Sequence, residues 1–156
     1  MRILTVRQPW AFAIIHRGKD VENRTTNIAG SYRGPVAIHA AAAWDWDVTY
    51  PVGPTPHPTS MSLIRGAIIG VVDLIDVHSA SVIGGCGRMD NNCDEHPYGC
   101  RRHCSPWAMG PTPDGWYQHL VLANPRALSE PVPFKGALGL RRLDVETIAL
   151  IESRLS

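Results

Sequence analysis

The sequence predicts an α+β domain of about five strands, with one helix directly after the first strand and another at the C-terminus. Three observations carry this expectation. Runs rich in Ile and Val recur between turn-forming residues, the pattern of short strands. A proline-led apolar run follows the first of them. The chain closes on apolar residues at helical spacing. Periodicity alone admits either a small, partly open β-barrel or an α+β sandwich.

Ile3, Leu4, Thr5 and Val6 read as the first strand. Pro9 then supplies a first helical position, where its missing N–H costs nothing, and residues 10–17 present a broad apolar face. Gly18 follows, where a chain leaving a helix needs positive φ, so Lys19 stands at the mouth of a turn. Residues 21–24 read as extended. Alternation then puts Glu22 and Arg24 on one face, and Val21 and Asn23 on the other, with Val21 turned to the core.

Tyr32, Arg33, Gly34 and Pro35 form a turn-like entry into a strand over residues 36–40. Residues 41–48 are expected as a short helix carrying Trp44 and Trp46. Pro51, Pro54, Pro56 and Pro58 then rule out a regular helix or a central strand, leaving a loop or flap. Residues 66–77 give the strongest strand signal in the chain. Residues 79–114 are the least regular part. Trp116, expected in the core, opens a strand to Leu122 that Asn124 and Pro125 end. Residues 134–140 suggest a last strand with a glycine kink. Val145, Ile148, Ala149, Ile151 and Leu155 mark an amphipathic helix.

The 156 residues suit one domain over 1–156, with irregular insertions near 44–64 and 84–104. Hydrophobic residues at 44% against 19% charged residues provide one core and exclude global disorder. The formal net charge of +1 is too small for a protein that coats long duplexes, so any nucleic acid should meet a local pocket. The apolar start breaks off at Arg7, Gln8 and Pro9, unlike a signal peptide. No run approaches the roughly 20 apolar residues of a membrane-spanning helix. The expectation is a soluble, cytoplasmic protein with no membrane partner.

Cys86, Cys93, Cys100 and Cys104 are the only cysteines and fall in one polar segment. Clustering of this kind points to metal binding or free thiols rather than a disulfide framework. Structural zinc takes four thiolate or imidazole ligands in a tetrahedron. These four cysteines are the candidate set, and His96 or His103 is able to replace one. A metal would order a loop that has little apolar content of its own. The competing reading is a loop with free thiols. Catalytic zinc deaminase chemistry is a remote third reading, because its His-x-Glu and Pro-Cys-x-x-Cys arrangement is missing.

Residues 7–11 followed by Gly18, Lys19, Asp20, Val21, Glu22, Asn23 and Arg24 resemble the signature of the ASCH family, a G-x-K-x-x-E-x-R pattern after the first long helix. Lys19, Glu22 and Arg24 match in register. Gly18 adjoins the lysine, and Arg17 stands where the family has glycine. Residues 32–40, the Ser105-Pro106-Trp107-Ala108 run and residues 116–126 also resemble bacterial and phage members. The resemblance implies a small PUA-like β-barrel with a cleft between the first helix and the barrel, lined by this motif. Relatives by fold bind RNA or modified bases there. Some members are proposed to act on RNA or to serve as coactivator modules. One bacterial branch hydrolyses the amide of an acylated cytidine with a lysine at the position of Lys19, and carries threonine where this chain has Glu22.

A lysine in a desolvated cleft becomes a base or nucleophile, whereas a carboxylate beside it opposes that change. Lys19 next to Glu22 and Arg24 is therefore better suited to fixing a phosphate or a base edge. Arg24 offers a bidentate fork, and Glu22 can accept from an exocyclic amine. Trp10 and Trp107 are candidates for stacking on bases, with packing into the core as the competing reading for each. His39, at a strand end, either reaches the cleft or is a satisfied buried histidine. Arg7 and Gln8, just before the helix, are placed to line the same cleft. Three functions follow as expectations. The first is binding of RNA, single-stranded nucleic acid or a modified nucleotide. The second is a hydrolase, a ribonuclease or nucleoside amidohydrolase, with Lys19 and Glu22 as catalytic candidates. The third is a protein-interaction module.

Overall fold

The computed structural model describes residues 1–45, 63–80, 86, 88–90, 100–102, 104–112 and 115–155. Strand β1 (Arg2–Gln8) leads into helix α1 (Trp10–His16), then β2 (Val21–Arg24), β3 (Gly34–Trp44) and β4 (Ala67–Ser79). Four short strands follow, β5 (Arg88–Asp90), β6 (Cys100–Arg102), β7 (Pro111–Thr112) and β8 (Gly115–Trp116). The chain finishes with β9 (Gln118–Pro133), β10 (Leu140–Arg142) and α2 (Val145–Ser153).

Six strands form one mixed sheet in the order β10-β1-β3-β4-β9-β2, which does not close on itself. Among the described strand pairs, only β1 and β3 run parallel. Strands β5 and β6 make one separate ribbon, and β7 and β8 another.

The sheet is apolar on both faces, because each face carries its own core. On one side α1 sets Ala11, Ile14 and Ile15 against Leu4, Val6, Val36, Ile38, Val72, Leu74 and Leu120. On the other, Ile3, Ala37, Ile68, Val71 and Val132 meet Leu143 and Ile151. Alternate residues of β1 and β3 thus serve opposite cores, as strand geometry requires. Helix α1 lies close to β4 at Gly70, where a Cβ would stand 2.5 Å from Ile15 Cδ1 and 2.7 Å from the Arg126 carbonyl oxygen.

The ends of α1 are fixed by the residues the sequence singled out. Pro9 precedes its first turn, and the Gln8 side chain accepts the Phe12 N–H at 3.0 Å. Gly18 takes φ +68°, which turns the chain so that the Lys19 N–H reaches back to the Ala13 carbonyl at 3.1 Å.

Four local expectations are corrected. Ala41 to Trp44 extend β3 rather than starting a helix; Trp46 and the prolines at 51, 54, 56 and 58 lie outside the described residues. The strand expected to stop at Asn124 and Pro125 runs on to Pro133. Asn124 adopts φ +50°, and the β4–β9 pairing shifts register three times, so the strand bends past the breaker instead of ending. The strand expected over 134–140 does not form: residues 134–139 are irregular, and a short strand spans Leu140–Arg142. Trp116, expected in the core, is half-buried.

Candidate functional site

A cavity of about 780 Å³ opens where β1, the start of α1, β2 and the segment from Pro106 to Met109 converge, with Ala137, Leu138 and Gly139 closing one edge. It contains Arg7, Trp10, Lys19, Glu22, Arg24 and Trp107 from the expected site. The other two expected residues stand outside it. Gln8 is buried at 1% exposure and is used up in structure: it caps α1 and donates from Nε2 to the Ile64 carbonyl at 2.8 Å. His39 is buried, with Nε2 2.9 Å from the Phe134 carbonyl. Because a carbonyl only accepts, that nitrogen carries the proton, and burial holds the ring below the usual histidine pKa.

The three motif side chains form one chain of charge. Lys19 Nζ donates to the Val21 carbonyl and stands 3.0 Å from Glu22 Oε2; Glu22 Oε1 is 2.9 Å from Arg24 Nη2. Strand alternation explains the pairing: Glu22 and Arg24 share one face of β2, while Val21, which enters the core, and Asn23 take the other. Lys19 reaches the pair from the turn that Gly18 makes. Arg24 also donates to the Thr5 carbonyl at 2.8 Å, which ties β2 to β1 across the cleft. With Lys19 at 4% exposure and Glu22 at 8%, the carboxylate is the counter-charge that makes a buried ammonium tolerable.

The aromatic wall is built from two distant segments. The Trp10 and Trp107 rings meet edge to face with centroids 6.4 Å apart. Trp10 Nε1 donates to Asp45 Oδ2 at 3.0 Å, and Lys19 Nζ lies 5.9 Å from the Trp10 ring centre. Trp107 is carried by a segment without regular structure, and β2 holds it. Asn23 donates to the Trp107 carbonyl at 2.9 Å and accepts from the Met109 N–H at 2.8 Å. Asp20 accepts from the Ser105 hydroxyl, whose oxygen takes the Trp107 N–H at 3.0 Å. Neither Asp20, Asn23 nor Ser105 was singled out from sequence. Asn23 meets backbone groups, and Asp20 meets the Ser105 hydroxyl, each more than 80 positions away, and only the fold brings them together.

Arg7 is exposed at the cavity and pairs with no described residue, so its guanidinium faces solvent. Arg33 instead binds the Gly30 and Tyr32 carbonyls in its own turn. The cavity therefore holds three cations, Arg7, Lys19 and Arg24, against two carboxylates, Glu22 and Asp45, with two indoles between them.

The cysteine expectation is reshaped. Cys86 and Cys104 come together, but their companions are His78 and His119, the four ligand atoms all lying within 4.8 Å of one another. Cys93, His96 and His103 lie outside the described residues, and Cys100 is described only in its backbone, on β6. Neither Cys86 nor Cys104 is in a disulfide. Burial, followed by the Cys86 sulfur beside it, pushes the Cys104 thiol up to about 12. The sequence did carry a signal for the histidines. They sit on the two strands that frame the cysteine-rich excursion, just outside the interval between the first and last cysteine.

No protein-family model matches the chain, and no curated protein sequence does. Among solved structures, the crystal structure of ASCH from Zymomonas mobilis is similar to it, with 14% identity over 99% of this chain and 95% of that chain, and a TM-score of 0.50. The chain has an ASCH-like fold: a mixed six-stranded sheet with two helices, left open. Among the described residues, no helix is long and apolar enough to cross a membrane.

Proposed function

We propose that the cleft binds nucleic acid in unpaired form, as single-stranded RNA or DNA or a modified nucleotide. One observation carries the reading: a solvent-facing Arg7 and the Arg24 guanidinium share a cavity with the Trp10–Trp107 pair. Phosphate contacts come from guanidinium groups, and unstacked bases are gripped on aromatic faces. The cavity is also of the size that takes one or two nucleotides rather than a duplex, in keeping with a net charge of only +1. Nucleic-acid association is also what the resemblance of residues 18–24 to the ASCH signature implies, and the chain has an ASCH-like fold.

Binding is favoured over hydrolysis by the state of Lys19. Its Nζ spends hydrogen bonds on the Val21 carbonyl and on Glu22, which ties it into the wall instead of presenting it to a carbonyl carbon. Glu22 is likewise held between two cations rather than poised as a base.

Fluorescence anisotropy with labelled single strands of RNA and DNA at low salt, with mononucleotides as competitors, tests the reading. Saturable binding that Arg24→Ala weakens more than Arg142→Ala supports it. Absence of binding to all of these probes would overturn it.

A further inference from the structure

Two histidines on the sheet and two cysteines from the excursion between β4 and β9 converge beside the cleft. His78 and His119 are direct cross-strand partners on β4 and β9, with ring centroids 5.4 Å apart. Cys86 Sγ lies 3.0 Å from His119 Nδ1, and Cys104 Sγ 3.6 Å from the same atom. The Cys86 sulfur also accepts the Cys104 backbone N–H at 3.3 Å.

The outer hydrogen bonds fix which ring nitrogen is available. His119 Nε2 is 2.7 Å from the Met109 carbonyl, which only accepts, so Nε2 carries the proton and Nδ1 offers its lone pair toward the sulfurs. His78 Nδ1 is 2.7 Å from Asp76 Oδ2. A carboxylate again accepts, so the lone pair is on Nε2, which is buried and has no hydrogen-bond partner among the described residues. A carbonyl behind one histidine and a carboxylate behind the other are the supports that metal-bound imidazoles use.

We propose that His78 Nε2, His119 Nδ1, Cys86 Sγ and Cys104 Sγ bind one zinc-class divalent ion. Two thiolates and two imidazoles select zinc over hard cations such as magnesium or calcium. With Zn–S near 2.3 Å and Zn–N near 2.0–2.1 Å, tetrahedral ligand atoms stand about 3.3–3.8 Å apart. The wider separations here, up to 4.8 Å, must tighten to reach that, and the 3.0 Å Cys86–His119 contact must open slightly. Four protein ligands leave no open position, so the ion is structural and not a catalytic centre. Its place in the fold gives it a task. Through His119 Nε2 it anchors the Met109 carbonyl at one end of the segment bearing Trp107, and Cys104, as a ligand, fixes the other end next to Ser105. The site stands whatever the cleft binds.

The test uses the full chain, without a histidine tag, purified under reducing conditions and loaded with zinc. Metal analysis should give one equivalent per chain, and cobalt substitution should give the sulfur-to-cobalt charge-transfer band and strong visible bands of a tetrahedral thiolate site. Cys104→Ser and His78→Ala should lose the metal, while Cys93→Ser and Cys100→Ser keep it. Should the ligand variants misfold, Asp76→Asn serves instead. It leaves every ligand in place and should lower zinc affinity about 10- to 100-fold. A metal-free protein after loading, a Cys86–Cys104 disulfide under these conditions, or zinc lost from Cys93→Ser or Cys100→Ser but kept by His78→Ala would overturn the proposal.

Discussion

Trp10 and Trp107 stand edge to face, 85° apart in plane, although one opens α1 and the other belongs to an irregular segment 97 positions later in the sequence. Their meeting defines one wall of the cleft and sets how a base would enter it.

Removal of the Trp107 indole should weaken binding of a single strand by about 1–3 kcal/mol, roughly 5- to 150-fold, the worth of one stacked base. Trp107→Ala measured against Trp107→Phe by anisotropy checks this. The phenylalanine variant should recover most of the loss, because any aromatic face stacks.

Arg7 faces solvent with no partner among the described residues, so its replacement should leave stability unchanged within about 0.5 kcal/mol. Arg7→Ala should instead lower the slope of log affinity against log salt by about one, the signature of one lost phosphate contact. Titrations at several salt concentrations, with Arg142→Ala as control, read the slope directly.

Glu22 has the opposite profile. Its loss leaves the Lys19 ammonium buried without a counter-charge. Glu22→Ala should therefore destabilise the fold by about 3–5 kcal/mol, measured by urea unfolding. The double substitution Glu22→Gln with Lys19→Met should recover much of this, because the pair is replaced as a unit.

Gly70 allows α1 to rest on β4. A Cβ there meets the Arg126 carbonyl oxygen, a backbone atom that cannot swing away. Gly70→Ala should cost about 3 kcal/mol, the upper end of overpacking. Thermal unfolding of the variant checks it.

His39 predicts a pH dependence. Burial keeps its folded-state pKa below the usual 6.5, despite the Phe134 bond that works in the other direction. As pH falls, the unfolded chain takes up its proton first, so stability is level above about pH 6.5 and declines below it through the folded-state pKa. His16 shifts in the same direction, by burial and then by Arg17. The comparison is therefore between wild type and His39→Gln, which keeps a donor for Phe134. The variant should lose less stability between about pH 7 and pH 5.

Much of this architecture was legible in the sequence where local chemistry decides structure. The helix from Trp10, its stop at Gly18, the alternation through residues 21–24 and the C-terminal helix all follow from residue type and spacing. Legibility failed where long-range pairing overrides local preference. Ala41 to Trp44 read as helical but continue β3, because β1 extends alongside and pairs Gln8 with Trp44. Asn124 and Pro125 read as a strand end, yet β9 has β4 beside it throughout and bends instead of stopping.

The site divides in the same way. Lys19, Glu22 and Arg24 sit within one turn and one strand, so their clustering follows from the sequence. Gln8 looked like a cleft residue because of its neighbours; its amide was taken by the open end of α1 and the Ile64 carbonyl. The histidines beside Cys86 and Cys104 were missed because they sit on strands and read as part of a β-sheet. Only the β4–β9 register sets them opposite each other.

The most direct test of the cleft is a structure of the protein bound to a short single-stranded oligonucleotide. The account predicts a phosphate in contact with Arg7 or Arg24 and a base against Trp107. An oligonucleotide bound elsewhere on the surface, with the cleft left to solvent, would contradict it.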